Sequence, residues 1–330
     1  MKIGYIGGFW ATNIGNSFYN LGAVHLLENV FGKNNVSFIP DPPQEYWSRI
    51  DNDYKFIEKL DLDLFLLTGP SFNLELISVY RPIFDKLKQC GKKIGFLSVG
   101  ASNYTESEAN AVSEFLNEYP IEFIMTRDSV TYNLYKDKLK TKLFDGICTS
   151  MFLNDVVNLA NVNDDYIIFN FSPKKEPKIS MENGKYSTKY SKSPWWWRPT
   201  FQKELDGNKI VRTNNNFFIP KIPILHKGKG LFYTKDMYYS DLPYGYLTIL
   251  KSAKLVFSDR VHTCAATLIL GGSAMYVKGS ARSHDGRNNL FSRIGVKEIY
   301  NKQCKLDFSF INKEKVKMLD FLVDYKNENN

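Results

Sequence analysis

No stretch of the sequence comes near the roughly 18 consecutive apolar residues that a membrane-crossing helix requires. The N-terminus runs from Met1-Lys2 straight into a strand-like segment, Ile3–Ile6. An apolar core and a small-residue cleavage site, the marks of a secretory leader, are missing there. The expected location is the cytoplasm, with the inner face of the membrane as the surface such a chain would meet. Cysteine is scarce: four residues, Cys90, Cys148, Cys264 and Cys304, lie too far apart for metal-type or redox-type spacing. They read as buried free thiols. The four histidines, His25, His226, His262 and His284, are equally dispersed, so no metal site is expected. Charge of one sign is not concentrated either. Lys and Arg total 43 against 35 Asp and Glu, a net +8 spread along the chain. With no RRM, KH or zinc-finger signature, this excess points to a small anion or an acidic surface and not to nucleic acid.

What is present is a regular alternation. Hydrophobic residues make up 43% of 330, enough for one large core or two ordinary ones. Lys2–Ile6 reads as a strand ending at Gly7-Gly8, and Ser17–Phe31 as a helix whose apolar residues recur at helical spacing up to Gly32. Leu62–Leu67 is an unbroken apolar run, as a strand covered on both faces should be. Tyr80–Gln89 reads as a helix, Lys93–Val99 as a strand ending at Gly100, and Thr105-Glu106-Ser107-Glu108 as a capping box. Glu122–Met125 and Lys142–Phe144 are further strands, with a short helix to Tyr135 between them. Strictly alternating strands and helices imply a parallel sheet with helices on both faces.

Asn and Asp cluster over Asn154–Asp165, which divides the chain into an N-terminal unit, 1–158, and a C-terminal unit, 159–330. The second unit opens on a strand, Tyr166–Phe171, then enters a Lys-, Ser- and Pro-rich excursion over 172–200. Regular order returns with a helix at Tyr244–Ser252, strands at Leu255–Ser258 and Ala274–Val277, and helices at His262–Leu270, Arg287–Ile294 and Asn312–Asp324. The terminal helix either stays with the second unit or crosses back onto the first.

Ligands of open parallel sheets bind beyond the carboxyl ends of the strands, so the residues following each strand carry the functional signal. After the first strand comes a glycine-rich turn containing Asn13, Gly15 and Asn16. Its glycine spacing does not match a dinucleotide fingerprint, but its backbone suits an anion or a sugar hydroxyl. After Glu122–Met125 come Arg127 and Asp128. Arg127 has the planar fork that suits a carboxylate or phosphate, and Asp128 is positioned as a helix N-cap. After Leu255–Ser258 comes Asp259-Arg260-Val261-His262, where a helix start, an arginine and a histidine converge. Trp195-Trp196-Trp197 offers aromatic faces for a sugar ring or a membrane interface.

Ser258-Asp259-Arg260-Val261-His262-Thr263-Cys264-Ala265-Ala266, followed by Leu270-Gly271-Gly272, resembles the Arg-aliphatic-His motif and small-residue helix of polysaccharide pyruvyltransferases. Asn13-Ile14-Gly15-Asn16, Phe96–Ala101, Thr126-Arg127-Asp128-Ser129 with Asp145, and Arg287–Val296 resemble that family's other motifs in the same order. Asn16 stands where the family turn is usually acidic, and Thr68-Gly69-Pro70 where a glycine-rich turn is usual. The resemblance implies an α/β fold of two Rossmann-like domains facing across a cleft, as in GT-B glycosyltransferases. The first domain would take the acceptor and the second the donor. It implies transfer of a pyruvyl group from phosphoenolpyruvate, a co-substrate and not a cofactor, to a saccharide of a cell-surface glycan or its precursor. On that reading Arg127, Arg260 and His262 bind the donor, with Lys278, His284 and Arg287 adding cationic support. His262 is the acid and Arg260 assists it. Asn13, Gly15, Asn16 and Trp196 face the acceptor, which includes lipid-linked forms and hence peripheral membrane contact. Two rival readings share this architecture: a nucleotide-sugar glycosyltransferase and a non-catalytic saccharide-binding protein.

Overall fold

The computed structural model describes residues 1–8, 13–41, 57–69, 71–171, 176–183, 185–190, 202–213, 215, 238, 240, 242–277, 286, 289–296, 299 and 302–329. The first half alternates as its sequence pattern dictates: β1 (Ile3–Gly8), α1 (Gly15–Phe31), β2 (Val36–Asp41), β3 (Leu64–Thr68), a short β4 (Ser71–Phe72), α2 (Leu74–Gln89), β5 (Lys93–Ala101), α3 (Glu106–Leu116), β6 (Ile121–Thr126), α4 (Ser129–Tyr135) and β7 (Lys142–Asp145). The sheet runs β2-β1-β3-β5-β6-β7, and every pairing in it is parallel. In β3, Leu64 and Leu66 enter one apolar cluster while Phe65 and Leu67 enter another. That alternation is why the run carries no polar residue: both faces are covered.

α2 starts six residues before the periodicity alone places it, because Asn73 caps it by accepting from the Leu76 amide at 3.0 Å. The Thr105 cap forms as expected, accepting from the Glu108 amide at 3.4 Å. Glu108 does not complete the box; its carboxylate accepts from the Asn103 amide at 2.9 Å and from the Asn103 side chain at 2.7 Å.

A 3-10 turn, Thr149–Phe152, and the short α5 (Leu153–Val156) lead to the second sheet. Its strands are β8 (Tyr166–Asn170), β11 (Glu204–Leu205), β12 (Asn208–Thr213), β13 (Val256–Ser258) and β14 (Ala274–Tyr276), in the order β11-β12-β8-β13-β14. Only β11 is antiparallel to its neighbour. Within the excursion, β9 (Lys178–Glu182) and β10 (Lys185–Lys189) form a two-stranded hairpin. The helices are α6 (Pro243–Ser252), α7 (Val261–Ile269), α8 (Asn289–Arg293) and the terminal α9 (Phe308–Glu328). Each half is thus a Rossmann-like parallel α/β unit.

One apolar cluster joins the halves. It takes Tyr5 and Leu66 from the first sheet, Phe18 and Leu26 from α1, Ile168 and Val256 from the second sheet, and Cys264 and Ala265 from α7. Small residues along α7 let it come close to its neighbours. α9 extends beyond its expected span at both ends, capped by Asp307, and lies against the first sheet. Phe321 meets Phe123 and Phe144, with ring centroids 5.6 and 4.7 Å away. Tyr325 donates to Glu122 at 3.0 Å and Lys326 to the Val30 carbonyl at 2.8 Å. Cys148 and Cys264 are buried as the thiol reading expects, but Cys90 is exposed and Cys304 partly so. Cys90 follows directly on the last turn of α2, where the chain meets solvent.

Candidate functional site

Each sheet has a point where the chain reverses its direction of travel. In the first it lies between β1 and β3, in the second between β8 and β13. The carboxyl ends at such a switch point splay apart and leave a crevice. The Asn13–Gly15 turn follows β1, and Arg260-Val261-His262 follows β13. These two turns meet. A Cβ placed on Gly15 would lie 3.5 Å from the His262 Cβ and 3.0 Å from the Asn215 amide nitrogen. The Ile14 amide donates to the Asn215 carbonyl at 2.8 Å. Asn13 closes its own turn, accepting from the Gly15 amide at 3.0 Å. Asn16 is partly exposed at the first turn of α1.

Beneath this junction lies a buried polar network. Asn170 Nδ2, with two N–H donors, lies 2.8, 2.9 and 2.6 Å from Thr213 Oγ1, Asn215 Oδ1 and the Tyr246 hydroxyl. Tyr246 donates to Asn215 Oδ1 at 2.7 Å, and Ser258 to Asn170 Oδ1 at 2.7 Å. The Asn215 side chain donates to Thr263 at 2.9 Å. The network therefore ties the ends of β8, β12 and β13 to the first turn of α7, and through Asn215 to the turn after β1. Sequence reasoning missed it. The Lys209–Thr213 strand lies between the 172–200 excursion and the return of regular order at Tyr244, and the asparagine run after it reads as a plain loop.

Arg260 is the N-cap residue of α7; its amide donates to Ser258 at 2.9 Å. Its side chain is partly exposed and its Nε lies 3.5 Å from Asp259. His262 is partly exposed and packs 5.2 Å from the Tyr19 ring. Among the described residues nothing hydrogen-bonds its ring. Burial and the positive Arg127 guanidinium push its pKa down from 6.5 to about 3. In the unliganded protein His262 is therefore neutral at pH 7.

Arg127 directly follows β6 and is 5% exposed. Among the described residues its buried Nε and Nη2 atoms have no hydrogen-bond partner. A buried, unpaired guanidinium edge is costly, and native proteins keep one where an anion or ordered water completes it. The guanidinium lies over Gly100: a Cβ there would sit 2.8 Å from its Cζ. The neighbouring Ser98 has φ of +57°, strained for a side chain in a strand, where β5 shifts register against β6. Burial opposes the charge of Arg127; Tyr104 and Asp128 favour it, and the balance holds its pKa above the ordinary value. Asp128 caps α4, accepting from the Thr131 amide at 2.8 Å. Asp145, the acidic residue of the downstream motif, accepts from Ser129 at 2.7 Å and from Arg293 at 3.2 Å. It is an anchor between the halves.

Lys278, His284, Arg287 and the Trp195–Trp197 triplet, Trp196 included, lie outside the described residues. Among the described residues no cluster of His, Cys, Asp and Glu could hold a metal ion, and no helix is long and apolar enough to cross a membrane.

Two Rossmann-like units with turns meeting at their switch points define the GT-B class of fold. The structure is similar to a candidate UDP-N-acetylglucosamine 2-epimerase from Listeria monocytogenes, with a TM-score of 0.53 and 10% identity over 97% of this chain and 88% of that one. It is similar also to a MnaA–UDP complex from S. aureus, with a TM-score of 0.53 and 9% identity over the same shares of the two chains. No curated protein matches the sequence. The family model for polysaccharide pyruvyl transferase matches residues 13–277, and the chain belongs to that family.

Proposed function

We propose that the protein transfers a pyruvyl group from phosphoenolpyruvate to two hydroxyls of a sugar in a cell-surface glycan or its precursor, forming a cyclic ketal. The observation that supports this reading is the buried, unpartnered edge of Arg127, whose charge acts on His262. Phosphoenolpyruvate has a carboxylate and a phosphate, so it requires two cationic positions. Arg127 offers a planar two-donor edge for the carboxylate. Arg260, at the positive end of α7, suits the phosphate.

In the transfer, the enol methylene gains a proton and becomes the methyl group. Positive charge then develops at the adjacent carbon, where the first sugar hydroxyl adds. The C–O bond to phosphate breaks and the second hydroxyl takes that place. Two hydroxyl protons are released, one balancing the methyl proton and one leaving with phosphate. His262 is the acid. It is neutral when the site is unliganded, and a bound dianion beside it favours its protonated form. Donor binding thus loads the acid. Asn13, Gly15 and Asn16 face the acceptor from the first half; Lys278, His284 and Arg287 stay assigned as cationic support for the donor, and Trp196 as an aromatic face for the acceptor sugar.

Thermal unfolding with and without phosphoenolpyruvate tests this, because a ligand of the folded state raises the midpoint by mass action. A rise in wild type that disappears in Arg260→Ala is expected. His262→Ala should keep the fold and lose ketal formation. A rise with a nucleotide sugar and none with phosphoenolpyruvate would overturn the pyruvyl donor in favour of glycosyl transfer.

A further inference from the structure

Arg127 and Asp128 are adjacent in sequence and opposite in charge, yet their ion pair carries no hydrogen bond. The Arg127 Nε lies 3.9 Å from Asp128 Oδ2, beyond hydrogen-bond reach. The reason is on the other side of the carboxylate. Asp128 Oδ1 accepts from the Thr131 amide at 2.8 Å, and Oδ2 accepts from the Thr131 hydroxyl at 3.0 Å and the Tyr104 hydroxyl at 3.2 Å. Thr131 belongs to α4 and is fixed by its cap. Tyr104 comes from the loop after β5, and its position is built at some expense: its φ is +56°, in the left-handed region that a bulky side chain avoids. Its ring is confined from the second half as well. A Cβ on Gly286 would fall 2.9 Å from the Tyr104 Cζ.

We propose that Tyr104 is a positioning residue that occupies the Asp128 carboxylate and so keeps the Arg127 guanidinium edge open for the carboxylate of an incoming anion. Without the Tyr104 hydroxyl, Asp128 Oδ2 keeps only the Thr131 hydroxyl, and the charged donor nearest to its vacated side is Arg127 Nε. A small rotation would close the pair. A ligand carboxylate must then compete with a covalently neighbouring carboxylate for the same edge. Burial raises the pKa of Tyr104, so it remains a proton donor to Asp128 throughout the working pH range. The close approach of Gly286 gives the second half a hand in this arrangement: a displacement there also loosens the hold on Asp128.

The identity of the ligand rests on the donor reading given above, but the release of Arg127 from Asp128 does not, and two arms of one experiment separate them. The first arm uses unliganded protein. In the arginine side-chain NMR spectrum, Tyr104→Phe should shift the Arg127 Nε–H signal downfield and slow its exchange, as a new hydrogen bond to Asp128 requires. Tyr104→Phe with Asp128→Asn should return both to the wild-type position. An Arg127 signal that is unchanged in Tyr104→Phe overturns the proposal whatever the ligand is.

The second arm measures phosphoenolpyruvate binding by calorimetry. Affinity should fall roughly tenfold in Tyr104→Phe, the scale of one hydrogen bond to a charged group. It should recover in the double variant, where no carboxylate competes. A merely structural role predicts additive losses and no recovery. Gly286→Ala, which must push the Tyr104 ring, should reproduce the Tyr104→Phe signal shift. Failure of wild type to bind phosphoenolpyruvate would overturn the donor assignment and leave the first arm to decide the role of Tyr104.

Discussion

Gly100 shows how much one missing carbon can matter. The Arg127 guanidinium occupies the volume that a Cβ at position 100 would fill. In Gly100→Ala the arginine must move or the strand must, and overpacking of this kind costs about 1–3 kcal/mol. The expected outcome is a lower unliganded melting point and loss of the midpoint rise with phosphoenolpyruvate. A variant with wild-type melting and a wild-type rise would mean that Arg127 does not need its place over Gly100. His262 makes a second residue-scale prediction. Its pKa is about 3 in the folded protein against 6.5 unfolded. The unfolded chain therefore binds the extra proton first, so the stability due to neutral His262 is complete above pH 6.5 and is lost as pH falls toward 3. Urea midpoints measured from pH 7.5 down to pH 4 should fall less steeply in His262→Gln than in wild type. Parallel slopes would show that His262 titrates normally. The placement of Arg127, Arg260 and His262 just beyond parallel strands was legible in the sequence because the strands before them are clear apolar runs. Tyr104 and Asn215 were not. Tyr104 owes its role to a positive φ and to contacts from the other half, and neither leaves a mark in a linear pattern.

At the scale of elements, α1 is the hinge of the packing. It lies against the Thr149–Phe152 turn, α7 and α9. Gly22 makes that closeness possible: a Cβ there would lie 2.8 Å from the Thr149 carbonyl carbon and closer still to its oxygen. Backbone cannot yield as the end of a flexible side chain can. Gly22→Ala should lower stability by about 2 kcal/mol or more, against the few tenths to 1 kcal/mol that alanine normally gains over glycine in a helix. Urea unfolding reads the sign directly, and a stabilised variant would show that the turn can withdraw. Most helices and strands were legible because covered parallel strands are uniformly apolar and the helices between them are amphipathic. Of the elements that the sequence hid, two show the physical reason plainly. β2 begins Val-Ser-Phe, where Phe38 is exposed at the sheet edge, so its pattern lacks the continuous apolar run of β3. β12 carries Arg212, buried and bonded to Glu176 at 2.8 Å, and a buried ion pair reads in sequence as a surface charge.

At the scale of the molecule, the halves are joined by the shared apolar cluster and by charged contacts, among them the Arg293 anchor, and the two kinds of joint respond differently to mutation. Arg293 of α8 donates to Asp145 at the end of β7 and pairs with Glu314 of α9. The Arg293 side chain is 12% exposed and that of Glu314 6%. Lys317 also reaches Glu314, at 2.6 Å, but its own side chain is 62% exposed and so well solvated. Removing only the arginine leaves a nearly buried carboxylate with one solvated partner. Arg293→Met should therefore cost about 3 kcal/mol, mostly as the penalty of that uncompensated charge and not as the worth of the lost pair. Buried ion pairs replaced whole by apolar side chains are often close to neutral, because both desolvation costs vanish together. Arg293→Met with Glu314→Met should then recover most of the loss, although Asp145 keeps only its bond from Ser129. Urea unfolding of the two single variants and the double variant decides this. Losses that simply add would mean that the anchor contributes net attraction beyond the charge it neutralises, and that the shared apolar cluster does not by itself hold the two switch points face to face.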